Sequence, residues 1–321
     1  MIKNKNILIT GGTGSLGQSL TKRILEKHNP KSIRIFSRNE KSQVEMSRKF
    51  KDNRLRFLIG DVRDRDRLRR AMVDCDIVIH AAAIKHVDVG EYNPIETIKT
   101  NVNGAMNVID AAIDCNVDRV LAISTDKAVY PVNLYGATKM TAEKLFVQAN
   151  TYSYKKTKFS CVRYGNVLGS SGSVIPLFLK QHEEGCLTIT DAEMTRFWIE
   201  MERVLDFIIM CITNMSGWEI FVPKMKSMRL IDLADTISPG TKRKIVGIRP
   251  GEKLHEVLIT DDEARHTIDH TDYYVIEPEF PFHSYKPSQT GKKVDGLNYV
   301  SDNNKLWWKK HDIKKIAEDF Q

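Results

Sequence analysis

Two residues with complementary chemistry stand four positions apart in the segment STDKAVYPVNLYGATK, which covers residues 124–139. A helix that begins near Tyr135 places the side chains of Tyr135 and Lys139 on one face. An ammonium group lowers the pKa of a neighbouring phenol, and the phenolate can take a proton from a hydroxyl group while hydride leaves the same carbon. The spacing therefore predicts a redox step on an alcohol, and Ser124 and Thr125 end the strand before it.

The same segment holds an acid and an amine in adjacent positions, Asp126 and Lys127, at the end of that strand. The two side chains have two interpretations. They are either a catalytic acid and base beside the Tyr–Lys pair, or an ion pair on the protein surface.

Glycines at regular spacing occupy the segment TGGTGSLG, which follows the first strand candidate and opens a helix candidate. Gly11 permits a tight turn, Gly14 allows the backbone to approach a pyrophosphate, and Gly17 allows the helix to pack closely on the strand. The free N–H groups of the helix then receive the phosphates. The context predicts a dinucleotide site.

The end of the second strand candidate, in FSRNEKS, predicts which dinucleotide binds. An Asp or Glu there would hold the ribose hydroxyls of NAD, but this chain has Ser37 and Arg38, with Lys41 one turn later. Arg presents a planar fork of donors that suits the additional phosphate of NADP. We therefore predict NADP, with an exposed charge at Arg38 as the alternative, and expect Asp61 and Val62 to flank the adenine.

Strand and helix candidates alternate along the first two thirds of the chain, which predicts an α/β fold with a doubly wound parallel sheet of the Rossmann type. Residues 95–113 have the spacing of a buried helical stripe, carried by Ile95, Ile98, Val102, Ala105, Ile109, Ala112 and Ile113. The strand candidates are NILIT (6–10), SIRIFS (32–37), RLRFLIGDV (54–62), CDIVIHAA (75–82), RVLAIST (119–125), FSCVRYGNV (159–167) and EIFVPK (219–224).

Ligands bind beyond the carboxyl ends of the strands in such a sheet, so the segments after the strands should form one cleft. We expect an NADP-binding Rossmann domain made of residues 1–167 and 196–224. A smaller, discontinuous substrate-binding lobe and the C-terminal tail would comprise residues 168–195 and 225–321.

The composition argues against other classes of protein. Lys and Arg number 49 against 41 Asp and Glu, a formal net charge of +8, but the basic run at 63–70 is interleaved with acids and lacks aromatic neighbours. We expect no nucleic-acid partner. Apolar runs are too short for a membrane helix, and the five cysteines are scattered, so we expect a cytoplasmic protein without a membrane partner, a disulfide framework or a metal site.

The motifs TGGTGSLG, STDKAVYPVNLYGATK and YGNV resemble those of the extended short-chain dehydrogenases/reductases. Together with IFSRNEKSQ, GDVRD, HAAAIKHV, TRFWI, EIFVPK and GIRPGEKLHE, they are similar to the inverting UDP-N-acetylglucosamine 4,6-dehydratases, which start pseudaminic acid synthesis. The similarity extends from about residue 5 to 280. It implies a hydro-lyase that retains NADP, a UDP-N-acetylglucosamine or closely related UDP-amino-sugar substrate, and a homo-oligomer, either a hexamer or a dimer.

The resemblance also implies roles for the catalytic residues. Tyr135 would deprotonate the 4-hydroxyl of the sugar, Lys127 would remove the proton on carbon 5, and Asp126 would protonate the departing 6-hydroxyl, with Thr125 supporting the ketone. Hydride would return to carbon 6, and a proton delivered to the opposite face would invert carbon 5. A lysine must be neutral to act as a base, so we expect a depressed pKa for Lys127.

The candidate ligand-binding residues divide into two sets. The cofactor set comprises Gly11, Thr13, Gly14, Ser15, Leu16, Gly17, Ser37, Arg38, Asn39, Lys41, Ser42, Asp61, Val62, Ala81, Ala82, Ala83, Lys85, Tyr135, Lys139 and Val167. The substrate set, carried over from the resemblance, comprises Lys85, His86, Asn166, Ser173, Val174, Thr195, Arg196, Arg249 and Glu252.

Two other functions fit parts of this pattern. A nucleotide-sugar 4-epimerase of the same superfamily would share the glycines and Tyr135, but it would need no acid–base pair for carbon 6. A non-catalytic NADP-binding regulatory protein would have no need for Thr125, Asp126, Lys127, Tyr135 and Lys139 together.

Overall fold

Parallel strands with helices on both faces form the centre of the computed structural model, which describes residues 1–153, 156–169, 174–280, 285, 290–294 and 296–318. The strands are β1 (Asn6–Thr10), β2 (Ser32–Ser37), β3 (Leu55–Ile59), β4 (Ile77–His80), β5 (Arg119–Ile123), β6 (Lys158–Val162), β7 (Asn166–Val167), β8 (Cys186–Ile189), β9 (Thr195–Ile199), β10 (Ile220–Pro223), β11 (Lys226–Arg229), β12 (Lys242–Ile245), β13 (Val257–Ile259), β14 (Thr267–Asp269), β15 (Tyr273–Ile276), β16 (Lys292–Lys293) and β17 (Tyr299–Val300).

Twelve α-helices connect or flank these strands: α1 (Ser15–Lys27), α2 (Glu40–Phe50), α3 (Arg65–Met72), α4 (Val87–Tyr92), α5 (Pro94–Ile98), α6 (Gly104–Asp114), α7 (Leu134–Gln148), α8 (Val174–Glu183), α9 (Met201–Asn214), α10 (Leu230–Ile237), α11 (Asp261–Ala264) and α12 (Lys310–Glu318). A π-helical segment covers Lys99–Asn103, and short 3₁₀ segments cover Asp126–Ala128 and Ala149–Thr151.

The large sheet has the strand order β16-β14-β15-β10-β6-β5-β4-β1-β2-β3. The seven neighbouring strands β10, β6, β5, β4, β1, β2 and β3 are all parallel. All four residues of β4 are buried because helices cover both faces of the sheet. This confirms the predicted doubly wound fold. The order reverses between β1 and β4, which is the point where such sheets bind dinucleotides.

One edge of the large sheet is formed by strands from residues that were expected to lie in the substrate-binding lobe. β15 pairs antiparallel with β10, and β14 and β16 continue the sheet beyond it. These strands cover an edge that would otherwise expose unpaired backbone groups. Strands β14 and β15, within residues 267–276, therefore belong to the large sheet. The proposed domain boundaries remain a prediction.

A second hydrophobic cluster lies apart from the large sheet and includes Ile175, Phe178, Leu187, Trp198 and Leu233. The small sheet β12-β8 contributes Leu187 and Ile189 to this cluster, and the sheet β11-β9-β7 contributes Trp198 and Met228. The C-terminal segment packs here too, since Ile313 is buried in this cluster and the Trp308 N–H donates to the carbonyl of Ser227 over 2.9 Å. The third small sheet, β13-β17, packs on the main core through Leu258, Ile259 and Tyr299.

The predicted apolar stripe over 95–113 is only partly buried. Ala105 and Ile109 lie in the core, but Ile95 is 65% exposed and Ile98 is 43% exposed. The π-helical segment between α5 and α6 explains the difference, because its wider turn changes the angular position of the residues before it relative to those after it. None of the described helices is long and apolar enough to cross a membrane.

Candidate active site

A cleft of about 710 Å³ opens at the carboxyl ends of the parallel strands. It is lined by all five predicted catalytic residues, Thr125, Asp126, Lys127, Tyr135 and Lys139. Every predicted cofactor residue except Lys41 and Ser42 also lines it. The fold therefore brings the glycine segment and the catalytic segment to one cavity.

The glycine segment forms a tight turn between β1 and α1. Gly11 has a φ of +67°, and a Cβ there would lie 2.9 Å from the backbone N and Cα of Ala82. Gly14 is the N-cap of α1 and has no side chain with which to cap the first-turn N–H groups. An anionic ligand suits these donors and the positive end of the helix dipole, so the segment fits the pyrophosphate of a dinucleotide.

The end of β2 presents Ser37 and Arg38 to the same cleft. The Arg38 side chain is 58% exposed, and its Nη1 lies 3.9 Å from Oδ2 of Asp61. The Gln43 side-chain amide donates to the Ser37 hydroxyl oxygen over 3.0 Å. Burial opposes ionisation of Asp61, but hydrogen bonds from Arg63 outweigh it and lower the Asp61 pKa.

Two of the predicted cofactor residues lie in the first turn of α2 and do not line the cleft. The Ser42 N–H donates to Oδ1 of the N-cap Asn39 over 3.0 Å. The Lys41 ammonium lies 3.9 Å from the Glu45 carboxylate. Both therefore contribute to the helix in this structure.

The catalytic helix α7 begins next to the Asp126–Lys127 turn. Oδ1 of Asn133 accepts from the Gly136 N–H over 2.7 Å and caps the helix. A Cβ at Gly136 would overlap the carbonyl oxygen of Lys127. Glycine at this position thus permits the close approach that places Tyr135 and Lys127 in one cavity.

The pKa values at α7 differ from the sequence-based expectation. Burial raises the pKa of Tyr135 to about 12, although a hydrogen bond with Thr125 and the charge of Lys127 act in the other direction. Nζ of Lys139 donates to the carbonyl of Ile123 over 2.6 Å, and burial lowers the Lys139 pKa. The phenol pKa was expected to be lowered by Lys139, but in this arrangement burial dominates and places it above its ordinary value.

Asp126 and Lys127 form an ion pair inside the protein. Nζ of Lys127 donates to Oδ1 of Asp126 over 3.1 Å, and their side chains are 28% and 1% exposed. The surface interpretation of the pair therefore fails. Nζ of Lys127 also lies 3.4 Å from Oε1 of Glu256, a buried residue that sequence reasoning missed.

The expected depression of the Lys127 pKa is also wrong. Burial lowers it, but the carboxylates of Asp126 and Glu256 outweigh burial and raise it above the ordinary value. Burial raises the pKa of Asp126, and Glu256 adds to that rise. Asp126 is thus biased toward the protonated form that a general acid needs.

The predicted substrate residues occupy several environments. Lys85, His86 and Asn166 line the cleft, and Arg249 is exposed outside its lining. Val174 and Glu252 are half-buried outside the lining, and Ser173 lies outside the described residues.

The two predicted substrate residues of β9 are buried and bonded within the protein. Oγ1 of Thr195 lies 2.8 Å from Nδ1 of His255, within hydrogen-bonding distance. Nη1 of Arg196 donates to the carbonyls of Thr195 and Leu254 over 2.7 and 3.0 Å. Neither residue lines the cleft, so their substrate roles stay predictions.

The segment that carries Arg249 and Glu252 is anchored to the catalytic segment. Nδ2 of Asn133 donates to the carbonyl of Gly251 over 2.8 Å, and Nζ of Lys253 donates to the carbonyl of Val129 over 2.6 Å. Any displacement of this segment would therefore act on the N-terminus of α7.

Asn101 is a further residue that sequence reasoning missed, and it lies in the π-helical segment. Its Oδ1 accepts from the Ile84 N–H over 2.8 Å, and its Nδ2 donates to Oγ1 of Thr138 over 3.0 Å. Asn101 thereby ties the loop after β4 to the catalytic helix. No pattern in the sequence marked Asn101, because its partners come from the loop after β4 and from α7. Within the described parts of the chain, no group of three or more His, Cys, Asp or Glu side chains is placed to hold a metal ion.

Comparisons with known proteins agree with this arrangement. The family model described as "Polysaccharide biosynthesis protein" matches residues 7–278. The chain is 49% identical to UDP-N-acetylglucosamine 4,6-dehydratase (inverting) of Campylobacter jejuni over 98% of each chain. It is 40% identical to UDP-glucose 4-epimerase of Rickettsia conorii, over 95% of this chain and 93% of that protein.

A solved structure with a similar fold is Pen from Bacillus thuringiensis, with a TM-score of 0.92, 38% identity, and coverage of 100% of this chain and 99% of that one. DesIV from Streptomyces venezuelae, a dTDP-glucose 4,6-dehydratase with NAD bound, aligns with a TM-score of 0.69 and 23% identity over 78% of this chain and 86% of its own. The second similarity concerns the fold alone.

Proposed function

Because the chain belongs to the family of polysaccharide biosynthesis proteins, we propose that it is an NADP-dependent UDP-N-acetylglucosamine 4,6-dehydratase that inverts carbon 5. The observation that carries the proposal is the buried Asp126–Lys127 pair in the same cleft as Tyr135. Oxidation of an alcohol alone needs no second acid–base pair, whereas elimination of water needs an acid and a base. The names of the Campylobacter jejuni relatives support the same reaction.

The catalytic residues divide between the steps of this reaction. Tyr135 takes the proton of the 4-hydroxyl as the phenolate, and the resulting ketone acidifies the hydrogen on carbon 5. Lys127 removes that proton as the neutral amine while Asp126 protonates the departing 6-hydroxyl, so that water leaves. Return of the hydride to carbon 6 and delivery of a proton to the opposite face of carbon 5 then give UDP-2-acetamido-2,6-dideoxy-β-L-arabino-hex-4-ulose, a product that can enter pseudaminic acid biosynthesis.

A bound nicotinamide cofactor supplies the acceptor for the hydride of carbon 4 and its donor to carbon 6. The turn at Gly11 and the uncapped N-terminus of α1 fit its pyrophosphate. We assign NADP over NAD because the end of β2 offers the Arg38 guanidinium and the Ser37 hydroxyl, and no carboxylate, to the ribose. Arg38 would pair with the additional phosphate, and its exposure leaves the guanidinium free to turn toward it.

The sugar nucleotide would lie between the catalytic segment and the anchored segment 249–256. Lys85, His86 and Asn166 border the catalytic end of the cleft and can contact the sugar. Arg249 is exposed close to this end, since its neighbour Gly251 contacts Asn133, and it would contact the diphosphate or the nucleoside. Glu252 would accept from a ribose hydroxyl.

We also propose that the enzyme is a homo-oligomer. Large apolar side chains are exposed on consecutive elements around α4–α7, and a second copy of the chain would cover them. These side chains are Val89, Tyr92, Ile95, Ile98, Met106 and Met140. Light scattering coupled to gel filtration should give a mass that is a multiple of 36.7 kDa.

The second candidate function is a nucleotide-sugar 4-epimerase, favoured by the 40% identity to the Rickettsia conorii relative. The two reactions differ in mass balance, since epimerisation conserves the mass of the substrate and dehydration removes one water. Mass spectrometry of UDP-N-acetylglucosamine incubated with the protein therefore separates them. We expect the loss of one water with the wild type and no such loss with Lys127→Ala, which should still bind NADP.

A further inference from the structure

Glu256 is a buried carboxylate behind the catalytic lysine, and its side chain is 3% exposed. Cations from three segments surround it. Oε1 lies 3.4 Å from Nζ of Lys127 and 3.8 Å from Nε of Arg196, and Oε2 lies 3.3 Å from Nζ of Lys253. Three such neighbours stabilise the ionised form of a carboxylate.

Asp126 has a different environment although it touches the same lysine. Its Oδ1 accepts from the Thr125 hydroxyl over 2.9 Å and from Lys127 over 3.1 Å. Its Oδ2 is buried and has no hydrogen-bond partner among the described residues. Asp126 lines the cleft, whereas Glu256 is not among the residues that line it.

We propose that Glu256 is a positioning residue of the reaction: it stays ionised next to Lys127 and raises the proton affinity of both Asp126 and Lys127, so that Asp126 holds the proton that departs with the 6-hydroxyl and Lys127 is a strong base toward the hydrogen on carbon 5. This inference rests on the proposed dehydratase function. Glu256 does not touch the reacting atoms, and it acts through Lys127 and Asp126.

The charges around the two carboxylates support this division of roles. The pKa of Glu256 is lowered, because Lys127, Arg196 and Lys253 together outweigh the effect of burial. The pKa of Asp126 is raised, first by burial and then by the charge of Glu256. Environments that push the pKa values of two carboxylates apart assign one as the acid and the other as the anion.

The protons of the elimination pass only through Asp126 and Lys127, and none passes through Glu256. The Asp126 carboxyl gives its proton to the departing oxygen, and the bond between carbon 6 and that oxygen breaks to release water. In the form that reacts, Asp126 is the carboxylic acid and Lys127 is the neutral amine. The proton on carbon 5 passes to Nζ of that amine, and the electron pair of the broken C–H bond becomes the double bond between carbons 5 and 6. Asp126 ends as a carboxylate and Lys127 as an ammonium, while Glu256 neither gives nor takes a proton.

Glu256→Gln removes one negative charge from this cluster and nearly preserves its shape. The groups that face Lys127 are then Asp126, Arg196 and Tyr135. Loss of the charge lowers the proton affinity of both Asp126 and Lys127. We therefore expect both limbs of the pH profile of kcat/KM to move to lower pH, by at least about one unit.

Two matched variants separate charge from packing. Glu256→Asp keeps the charge and should return both limbs to within about half a pH unit of the wild type. Glu263→Gln removes a carboxylate that pairs with Arg163, so it should leave the limbs in place even where it lowers stability. The proposal would be overturned if Glu256→Gln lowered the maximum of kcat/KM without shifting the two limbs along the pH axis. It would also be overturned if Glu256→Asp shifted the limbs as far as Glu256→Gln does.

Nuclear magnetic resonance of the protein without substrate tests the pairing independently of turnover. In protein labelled with ¹⁵N-lysine, the Lys127 Nζ resonance is assigned by its absence in Lys127→Arg, and its titration midpoint should be lower in Glu256→Gln than in the wild type. An unchanged midpoint would contradict the inference. If the wild type removes no water from UDP-N-acetylglucosamine, the proposed function fails, and the titration still decides the Glu256–Lys127 pairing.

The Lys253→Met variant tests the same cluster if Glu256→Gln does not fold. It removes a cation next to Glu256 and leaves the carboxylate in place. The Lys127 midpoint should then be equal to or higher than that of the wild type, because a positive charge has been lost. A lower midpoint would contradict the proposed role of Glu256.

Discussion

The two ends of the cleft are assembled in different ways. The nucleotide end consists of turns directly after β1, β2, β3 and β4, and its Arg38 is largely exposed. The catalytic end joins distant segments, since Lys253 reaches the carbonyl of Val129, 124 positions away, and it buries several charges together. The shape of the nucleotide end therefore depends on local backbone geometry. The properties of the catalytic end depend on charges that tertiary structure brings together.

This difference implies that substitutions at the catalytic end should change turnover, whereas those at the nucleotide end should change cofactor affinity.

Tyr135→Phe should show the largest effect. It removes the only phenol oxygen that can accept the 4-hydroxyl proton from this position on α7, so kcat should fall about 10²- to 10⁴-fold. The dissociation constant for NADP, measured by calorimetry, should change by a much smaller factor than kcat. Tyr152→Phe, at an exposed tyrosine, is the control, and full activity in Tyr135→Phe would contradict the assignment.

Gly136→Ala tests whether the catalytic end depends on the close approach of α7 to Lys127. The added methyl group would overlap the Lys127 carbonyl oxygen and displace Tyr135, so we expect kcat to fall about 100-fold. Gly90→Ala is the matched control, because its Cβ would be 3.5 Å from the nearest atom of Thr97. Equal activities of the two variants would show that this contact does not position the site.

Arg38→Ala tests the nucleotide end. Loss of a charged hydrogen bond to the additional phosphate should weaken NADP binding about 10- to 100-fold and leave NAD binding unchanged. Fluorescence titration with both cofactors measures the change, and Arg48→Ala on the exposed face of α2 is the control. An equal loss for both cofactors would contradict the assignment of Arg38 to that phosphate.

His80 lies where the two ends meet and should give the smallest effect. Its Nδ1 is 2.8 Å from Oγ1 of Thr10, and burial, followed by the charge of Lys139, lowers its pKa to about 3. Between about pH 6.5 and pH 3 the unfolded chain binds a proton that the folded chain does not. The free energy of unfolding should therefore fall with decreasing pH, by up to about 1.4 kcal/mol per unit from this residue.

Chemical denaturation at several pH values measures that slope. His80→Gln should lower the stability at neutral pH but make it less dependent on pH. His311→Gln removes an exposed histidine of α12 that pairs with Asp312 at the surface, so it should change both quantities only slightly. A slope in His80→Gln equal to that of the wild type would show that other groups dominate the acid response.

The sequence was sufficient to predict the doubly wound parallel sheet and most of the residues that line the nucleotide end of the cleft. The turn at Gly11 and the position of Arg38 at the end of a strand each depend on residues within a few positions of one another. Strands and helices are likewise local, and apolar residues that repeat every 2 or 3.6 positions indicate them. The antiparallel strands β14–β16 were missed because their pairing with β10 depends on tertiary context. The exposed Ile95 was missed because no pattern revealed the π-helical turn that follows it.

The sequence predicted which residues lie at the catalytic end, but it did not predict the directions of their pKa shifts. Thr125, Asp126, Lys127, Tyr135 and Lys139 do line one cleft. The expected directions of the Tyr135 and Lys127 pKa shifts differ from those in the structure. The first was argued from Lys139 alone, and the second from the requirement that a base be neutral. The carboxylate of Glu256, which raises the Lys127 pKa, comes from a segment that only the folded chain brings into contact.

The configuration at carbon 5 of the product is the most direct test of the central claim that Asp126 and Lys127 carry out dehydration with inversion. The purified protein is incubated with UDP-N-acetylglucosamine, and the product is identified by proton NMR couplings. We predict a 4-keto-6-deoxy sugar with inverted carbon 5. A 4-epimer that retains its 6-hydroxyl, or a 6-deoxy product that retains the configuration at carbon 5, would contradict the claim.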